Sequence, residues 1–395
     1  MKTDPYPERL KWWTDARFGL FIHWGPVSLA GTEIGWSRKG RRRGILWEYP
    51  EDGVPAEEYD VLYKRFNPVN FDADEWVSIA QSAGMRYLVF TTKHHDGFCM
   101  FDSKLTDYKI TSPESPYRRD IVAQLVEACR RAEFPVGLYY SQPDWHHPDY
   151  RTDNHRRYID YMLGQLEELS TNYGKIDIFW FDGLGGTRED WAAEEVFALL
   201  RKHNPDVLIN NRCGLPGDFE TPEQEIGGSR YKRPWESCIT ICNQWSWKAD
   251  DSMKPLSECL GTLIQCAGRD GNLLFNVGPM PDGRIEPSQA RRLKDMGEWL
   301  SKYGDSIYGT RGGPFERGVL SPTASTIGNN SLYLHFLSWQ GSHVTLPLPR
   351  DFQNVKSVEN LNTLPLDWKL EDGSLILDIP KNSRDPLSTV IKLTF

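Results

Sequence analysis

The chain has 395 residues, which is enough for a core of about 300 residues and a smaller second domain. Its formal net charge of −9 argues against nucleic acid or an anionic membrane surface as a partner. No apolar stretch reaches the length of a membrane span, and seven irregularly spaced cysteines predict no disulfide framework. The N-terminus shows no apolar export signal, so we expect a cytoplasmic protein, or a secreted or periplasmic one if a leader was removed.

Up to residue 312, short apolar runs alternate with amphipathic stretches. The runs predict strands at 18–23, 87–92, 136–141, 176–182, 207–211 and 273–277. The amphipathic stretches predict helices at 73–82, 121–132, 156–173 and 194–203, with Asp72 and Asp120 as start signals of the first two. This alternation is typical of βαβ units, so we assign residues 1–312 to an α/β domain, a (β/α)8-like, TIM-type barrel. The region 220–255 is less regular and leaves the last barrel strands unassigned.

Residues 309–314 are rich in glycine and proline, and the pattern changes after them. Short alternating segments follow at 331–339, 343–348, 355–361, 375–379 and 390–395. Short alternating strands with turns between them are typical of antiparallel sheets packed face to face. We therefore expect a small C-terminal antiparallel β-sandwich over residues 313–395.

Polar and aromatic side chains stand at the ends of the first five predicted strands. Because the carboxyl ends of barrel strands meet on one face, we expect these side chains to share one site. A single residue of this kind is often part of the core, but five consecutive strands with such endings are hard to explain by packing alone. In chain order they are His23, Trp24, His94, His95, Tyr139, Tyr140, Trp180, Asp182, Asn210, Asn211 and Arg212.

Asp182 is the first candidate for chemistry. It ends the β-branched and aromatic run 176–181, where a carboxylate is costly unless it has partners. Cleavage of a glycosidic bond by two carboxyl groups also needs a proton donor from another loop. The 15 Trp, 17 Tyr and 17 Phe favour a sugar as ligand, because its C–H faces pack on aromatic rings. The candidates for the second carboxyl group are Glu220, Glu223, Glu225 and Glu236.

These motifs resemble the α-L-fucosidases of glycoside hydrolase family 29. The resemblance covers nearly the whole chain and keeps the order of the family's motifs. It is carried by FGLFIHWG at 18–25, TKHHDGF at 92–98, YYS at 139–141, WFDG at 180–183, WESC at 235–238 and GNLLFNVGP at 271–279.

The resemblance implies a (β/α) barrel with a C-terminal β-sandwich and hydrolysis of terminal α-L-fucose. It also implies retention of configuration through a covalent intermediate, with no cofactor, and Asp182 as the nucleophile. Tyr139 is the alternative to Tyr140. Trp245 is the alternative to Trp247, because the string at 244–248 departs from the commoner family pattern. The expected sugar-contacting residues are His23, Trp24, Glu48, His94, His95, Tyr140, Trp180, Arg212 and Trp247.

The acid/base is the position of the family that varies most in sequence. Our first choice is Glu223 and the fallback is Glu236, which otherwise supports the site from behind. A metal is not expected, because His94 and His95 are adjacent and no third ligand stands at zinc spacing. The expected partner is a fucosylated oligosaccharide or glycoconjugate, without nucleic acid or membrane, and the oligomeric state stays open, with a homo-oligomer allowed.

Three other interpretations are kept. A different retaining glycosidase, such as a galactosidase, would use a similar polar pocket. A sugar-binding protein without activity would use the sandwich as a lectin. A metal-dependent hydrolase would use His94 and His95. The sequence leaves the cleaved fucosyl linkage and the natural glycan open.

Overall fold

The computed structural model describes residues 6–40, 42–45, 53–228, 232–315, 322–339, 341–362 and 366–395. Its larger sheet is built from the strands β1 (Phe18–Ile22), β2 (Leu88–Lys93), β3 (Val136–Tyr140), β4 (Ile178–Phe181), β5 (Leu208–Ile209), β6 (Glu236–Thr240) and β7 (Asn272–Val277). These strands run parallel in the order β5-β4-β3-β2-β1-β7-β6. Every residue in them is buried, as expected for a parallel sheet that is covered on both faces.

The two edge strands of this sheet, β5 and β6, are bridged by the segment 218–224. The segment makes the isolated parallel bridges Asn210↔Phe219, Glu220↔Trp235 and Glu223↔Cys238. It does not continue as a regular strand, because Pro222 has no N–H to donate and Gln224 has a φ of 53°. The described residues therefore form a seven-stranded, half-barrel-like parallel sheet, which confirms the predicted α/β class. A complete (β/α)8-like barrel stays a prediction.

Helices follow most of the strands and cover the sheet. In the described residues they are α1 (Lys11–Ala16), α2 (Ala56–Tyr59), α3 (Ala73–Ser82), α4 (Ile121–Arg131), α5 (His155–Thr171), α6 (Ala193–His203), α7 (Leu256–Gly268) and α8 (Pro287–Tyr303). The carboxylates of Asp72 and Asp120 accept backbone N–H groups in the first turns of α3 and α4, as the sequence predicts. The sequence pattern did not reveal α7, because this helix is buried on nearly every side and lacks a polar face.

The C-terminal part of the chain is antiparallel, as predicted. Its strands are β8 (Arg311–Gly312), β9 (Ala324–Gly328), β10 (Ser331–Phe336), β11 (His343–Pro347), β12 (Ser357–Asn360), β13 (Asp367–Glu371), β14 (Ser374–Asp378) and β15 (Thr389–Thr394). They form a five-stranded sheet, β12-β15-β10-β9-β8, and a three-stranded sheet, β11-β14-β13. Leu334 and Leu393 of the first sheet and Leu346 and Leu375 of the second belong to one apolar cluster. Apolar burial between the two sheets therefore stabilises this unit.

Within the described part of the chain, none of the helices has both the length and the apolar character needed to cross a lipid bilayer.

Candidate active site

A narrow cavity lies at the carboxyl ends of the parallel strands. Its free volume is about 20 Å³, which is room for about one water molecule. The lining residues are Phe21, His23, Trp36, His94, Tyr139, Trp180, Asp182, Arg212, Glu223, Cys238 and Trp245.

Asp182 directly follows β4, and its carboxylate has a partner on each oxygen. Tyr139 donates its hydroxyl to Oδ2 over 2.9 Å, and Arg212 donates from Nη1 to Oδ1 over 2.8 Å. The side chain is 13% exposed, so it is accessible from the cavity while it stays paired. These two hydrogen bonds offset the free-energy cost of placing a charged carboxylate at the end of a buried strand.

Arg212 also binds the second candidate carboxylate. Its Nη1 lies 2.8 Å from Oε2 of Glu223 and 2.8 Å from Oδ1 of Asp182. The two carboxylate oxygens are therefore at most twice that distance apart, a limit close to the roughly 5–5.5 Å separation in retaining glycosidases. Burial raises the pKa of Glu223, and the Arg212 guanidinium opposes the rise. A carboxyl group with a raised pKa keeps its proton closer to neutral pH, as a proton donor requires.

The position of Arg212 is set by several contacts of its guanidinium. Nε donates to the hydroxyl of Thr221 over 2.8 Å, and Nη2 donates to the carbonyl of Thr221 over 2.9 Å. The guanidinium also lies 4.8 Å from the ring of Trp180, a cation–π contact. Because the guanidinium is planar and held at several points, Nη1 is directed to the gap between the two carboxylates.

His23 and His94 line the cavity and His95 lies next to Asp182, and burial lowers the pKa of all three. For His23 the value is lowered to about 4; for His94 and His95 the pKa is lowered well below its ordinary value. All three rings are therefore neutral near pH 7. His95 Nδ1 lies 2.6 Å from the hydroxyl oxygen of Ser141, which itself donates to the carbonyl of Pro143. His95 Nδ1 must then carry the proton, which leaves Nε2 as an acceptor.

The acceptor atom of His95 has no hydrogen-bond partner although it is buried. It lies 3.6 Å from Oδ2 of Asp182. Two acceptors that face each other at this distance call for a donor between them. A sugar hydroxyl is such a donor.

The structure brings Tyr139 to the site and not Tyr140. Successive residues of a strand point to opposite faces of a sheet. The hydroxyl of Tyr140 donates to Oε1 of Gln165 in α5 over 2.7 Å, on the helix-covered side. The same alternation separates the neighbours His23 and Trp24. Trp24 donates from Nε1 to the carbonyl of Met280 and does not line the cavity.

Of the two tryptophans near residue 246, Trp245 lines the cavity. Trp247 is directed elsewhere and donates from Nε1 to Oε2 of Glu286 over 2.9 Å. The predicted contact residue Glu48 lies outside the described residues. Predicted positions that do meet at the cavity are His23, His94, Trp180, Asp182, Arg212 and Glu223, with His95 directly behind Asp182.

Glu236 lies beneath the cavity and is fully buried. Its carboxylate accepts hydrogen bonds from Nε1 of Trp180 over 3.1 Å, from Nε1 of Trp13 over 3.2 Å and from the hydroxyl of Tyr87. Burial raises its pKa to about 7, while the three donors oppose the rise. This placement gives Glu236 no access to a glycosidic oxygen and makes it a support for the Trp180 ring.

Phe21, Trp36 and Cys238 line the cavity but were not predicted. Phe21 could have been found, because it alternates with His23 along β1 and so shares its face. Trp36 lies in a loop, where no periodicity reveals which way a side chain points.

His94, His95 and Asp182 offer ligand atoms within 4.8 Å of one another, so this group could hold a metal ion. The two histidines come together because they follow the end of β2, where the register of the ladder shifts. Their ring centroids lie 4.1 Å apart. The absence of a metal therefore stays a prediction.

Comparison with known proteins identifies the family. Residues 2–305 match the family model described as alpha-L-fucosidase. The chain belongs to the α-L-fucosidases of glycoside hydrolase family 29. Human plasma alpha-L-fucosidase is 30% identical over 401 residues, which cover 94% of this chain and 85% of that protein. The alpha-L-fucosidase of Branchiostoma floridae is 30% identical over 414 residues, covering 95% of this chain and 90% of that protein.

Solved structures of fucosidases share the whole fold. Alpha-L-fucosidase isoenzyme 1 from Paenibacillus thiaminolyticus aligns with a TM-score of 0.86 and 35% identity over 98% of both chains. A family 29 fucosidase of Bacteroides thetaiotaomicron, trapped as a covalent intermediate with 2-fluoro-fucosyl fluoride, aligns with a TM-score of 0.85 and 27% identity. That alignment covers 100% of this chain and 96% of the other.

Proposed function

We propose that this fucosidase is a retaining exo-enzyme that removes terminal α-L-fucose from oligosaccharides or glycoconjugates in two displacement steps. The observation that carries the proposal is the shared contact of Arg212 with Asp182 and Glu223. It sets two carboxyl groups across one cavity at a separation suited to direct attack. The covalent intermediate trapped in the Bacteroides relative supports the same chemistry.

In the first step, Asp182 attacks C1 of the sugar while Glu223 gives its proton to the leaving oxygen. The two contacts on Asp182, from Tyr139 and Arg212, fix the direction of the carboxylate. Positive charge builds up on the sugar ring in the oxocarbenium-like transition state, and the negative charge of Asp182 beside C1 stabilises it.

In the second step, Glu223 takes a proton from water, and the resulting hydroxide attacks C1 and releases Asp182. Glu223 suits both steps because it is the more exposed of the two carboxyl groups: its side chain is 44% exposed, against 13% for Asp182. Water therefore reaches Glu223 after the leaving group has gone. The hydroxyls of the bound fucose are held by His23, His94 and His95 as neutral rings.

The test is turnover of 4-nitrophenyl α-L-fucoside by the wild type and by Asp182→Ala. We expect turnover of the fucoside, no comparable turnover of the matching galactosides, and a loss of several orders of magnitude in the folded variant. Near-normal turnover in Asp182→Ala would refute its role. Preferred cleavage of a galactoside would instead support the galactosidase interpretation.

A further inference from the structure

One wall of the cavity is held by a loop rather than by a strand. Trp245 lies outside the regular elements, between β6 and α7. Its ring centroid nevertheless stands 4.7 Å from that of His23 and 6.0 Å from that of Phe21. A loop residue that packs this closely on a sugar-contacting histidine needs something that fixes its backbone.

The carboxylate of Glu33 holds the N-terminal side of Trp245. Both of its oxygens lie 3.1 Å from the backbone nitrogen of Trp245, and Oε1 also accepts from the nitrogen of Ser246 over 3.3 Å. The hydroxyl of Ser246 returns the contact, because it donates to the carbonyl of Thr32 and accepts from the nitrogen of Ile34. The two loops are thus joined in both directions, and we call residues 32–34 with 245–246 the loop clasp.

The other side of Trp245 is held by Asn276 of β7. Nδ2 of Asn276 donates to the carbonyl of Trp245 over 2.7 Å, and Oδ1 lies 2.7 Å from Nδ1 of His23. Because Oδ1 is an acceptor, His23 carries its proton on Nδ1 and presents Nε2 to the cavity as an acceptor. One amide therefore links the orientation of a sugar-contacting histidine to the position of the loop that bears Trp245.

The charge of Glu33 is balanced mainly by backbone N–H groups. In the described residues it forms no ion pair with lysine or arginine. Burial of the carboxyl group raises its pKa to about 7, the negative charge of Asp251 adds to the rise, and the N–H groups of Trp245 and Ser246 oppose it. The ring of His23, on the far side of Trp245, is neutral at this pH because burial lowers its pKa to about 4. Protonation of Glu33 near neutral pH would remove an acceptor from the clasp.

We propose that Glu33 is a positioning residue for sugar binding, which through the loop clasp sets Trp245 against His23 and so fixes one wall of the fucose pocket. This inference rests on the proposed function. The clasp contacts neither Asp182 nor Glu223, which lie at the end of β4 and in the segment 218–224. Loss of the clasp therefore weakens binding of the sugar and leaves the bond-breaking groups in place.

The test compares Glu33→Ala, Glu33→Gln and the control Glu298→Gln, which changes an exposed carboxylate on α8. At pH 8 we expect Glu33→Ala to raise KM for the fucoside and Ki for free L-fucose roughly tenfold, the loss typical of a hydrogen bond to a charged group. The kcat should change about twofold or less. Glu33→Gln keeps one oxygen acceptor and should fall between wild type and Glu33→Ala, and Glu298→Gln should match the wild type.

The pH dependence of KM is a second measurement, and it would not change if Glu33 had only a structural role. In the wild type, KM should rise as the pH falls below about 7, relative to Glu33→Gln, whose side chain does not titrate. If Glu33→Ala does not fold, Ser246→Ala breaks the clasp without removing a charge and should raise KM about threefold.

Three outcomes would overturn the inference: unchanged KM and Ki in folded Glu33→Ala, a fall in kcat alone, or the same pH profile in wild type and Glu33→Gln. Failure of the proposed function looks different, because the wild type would then not turn over the fucoside at all.

Discussion

Glu236→Gln tests whether Glu236, which lies buried beneath the cavity, has a raised pKa in the folded protein. Burial raises the pKa of Glu236 from its ordinary value of 4.5 to about 7. The folded state therefore binds a proton more tightly than the unfolded chain does. By linkage, the stabilisation is fully present below pH 4.5 and is lost as the pH rises towards 7. A shift of this size corresponds to about 3 kcal/mol of folding free energy.

Glutamine keeps the shape of the side chain and does not titrate. Its one oxygen can accept from only one of the Trp180 and Trp13 rings, because these rings donate to different oxygens of Glu236; this loss does not depend on pH. We expect the free energy of unfolding of wild type, minus that of Glu236→Gln, to fall by about 3 kcal/mol between pH 4.5 and pH 7.5. The assay is urea unfolding of both proteins across this range, followed by tryptophan fluorescence. Other titrating groups are shared by both proteins and cancel in the difference. A difference that stays constant with pH would refute the raised pKa and the burial argument behind it.

Three further predictions concern activity. Glu223→Ala should slow hydrolysis of 4-nitrophenyl α-L-fucoside by about 10²–10⁴-fold and regain turnover with azide; rescue of Glu236→Ala instead would move the acid/base assignment. Tyr139→Phe should lower kcat/KM about tenfold because Asp182 loses a hydrogen bond, whereas Tyr140→Phe should stay near wild type, and equal losses would contradict the assigned faces. Activity should survive dialysis against EDTA, and a loss that zinc restores would point to a metal on His94, His95 and Asp182.

Much of the fold could be predicted because its signals are local. Buried parallel strands are short apolar runs, and Asp72 and Asp120 cap their helices from the position just before the first turn. The segment 218–224 between the two edge strands could not be predicted, because it pairs one residue at a time and has no periodic pattern. The buried helix α7 was missed for a related reason, since it has no polar face to give it a helical period.

The residues of the site also divide into those with a local sequence signal and those without one. Residues at strand ends, such as His23 and Asp182, could be assigned because the topology brings them to one face. The choice between Tyr139 and Tyr140 depended on which face each side chain takes, and a register shift of one residue reverses that answer. Trp245 and Trp247 lie between β6 and α7, outside the regular elements, where no periodicity indicates which side chain faces the site. The contact between Glu33 and Trp245 joins residues 212 positions apart, so local sequence patterns carry no sign of it.

The central claim is that Asp182 forms a covalent bond to fucose. Incubation with 2-fluoro-fucosyl fluoride, proteolysis and mass spectrometry test it directly, because the fluorine slows release of the sugar more than its attachment when a good leaving group is present. We predict one added fluorofucosyl group, located on the peptide that carries Asp182 and absent in Asp182→Ala. A label on any other carboxylate, or rapid turnover of the reagent with inversion at C1, would contradict the account.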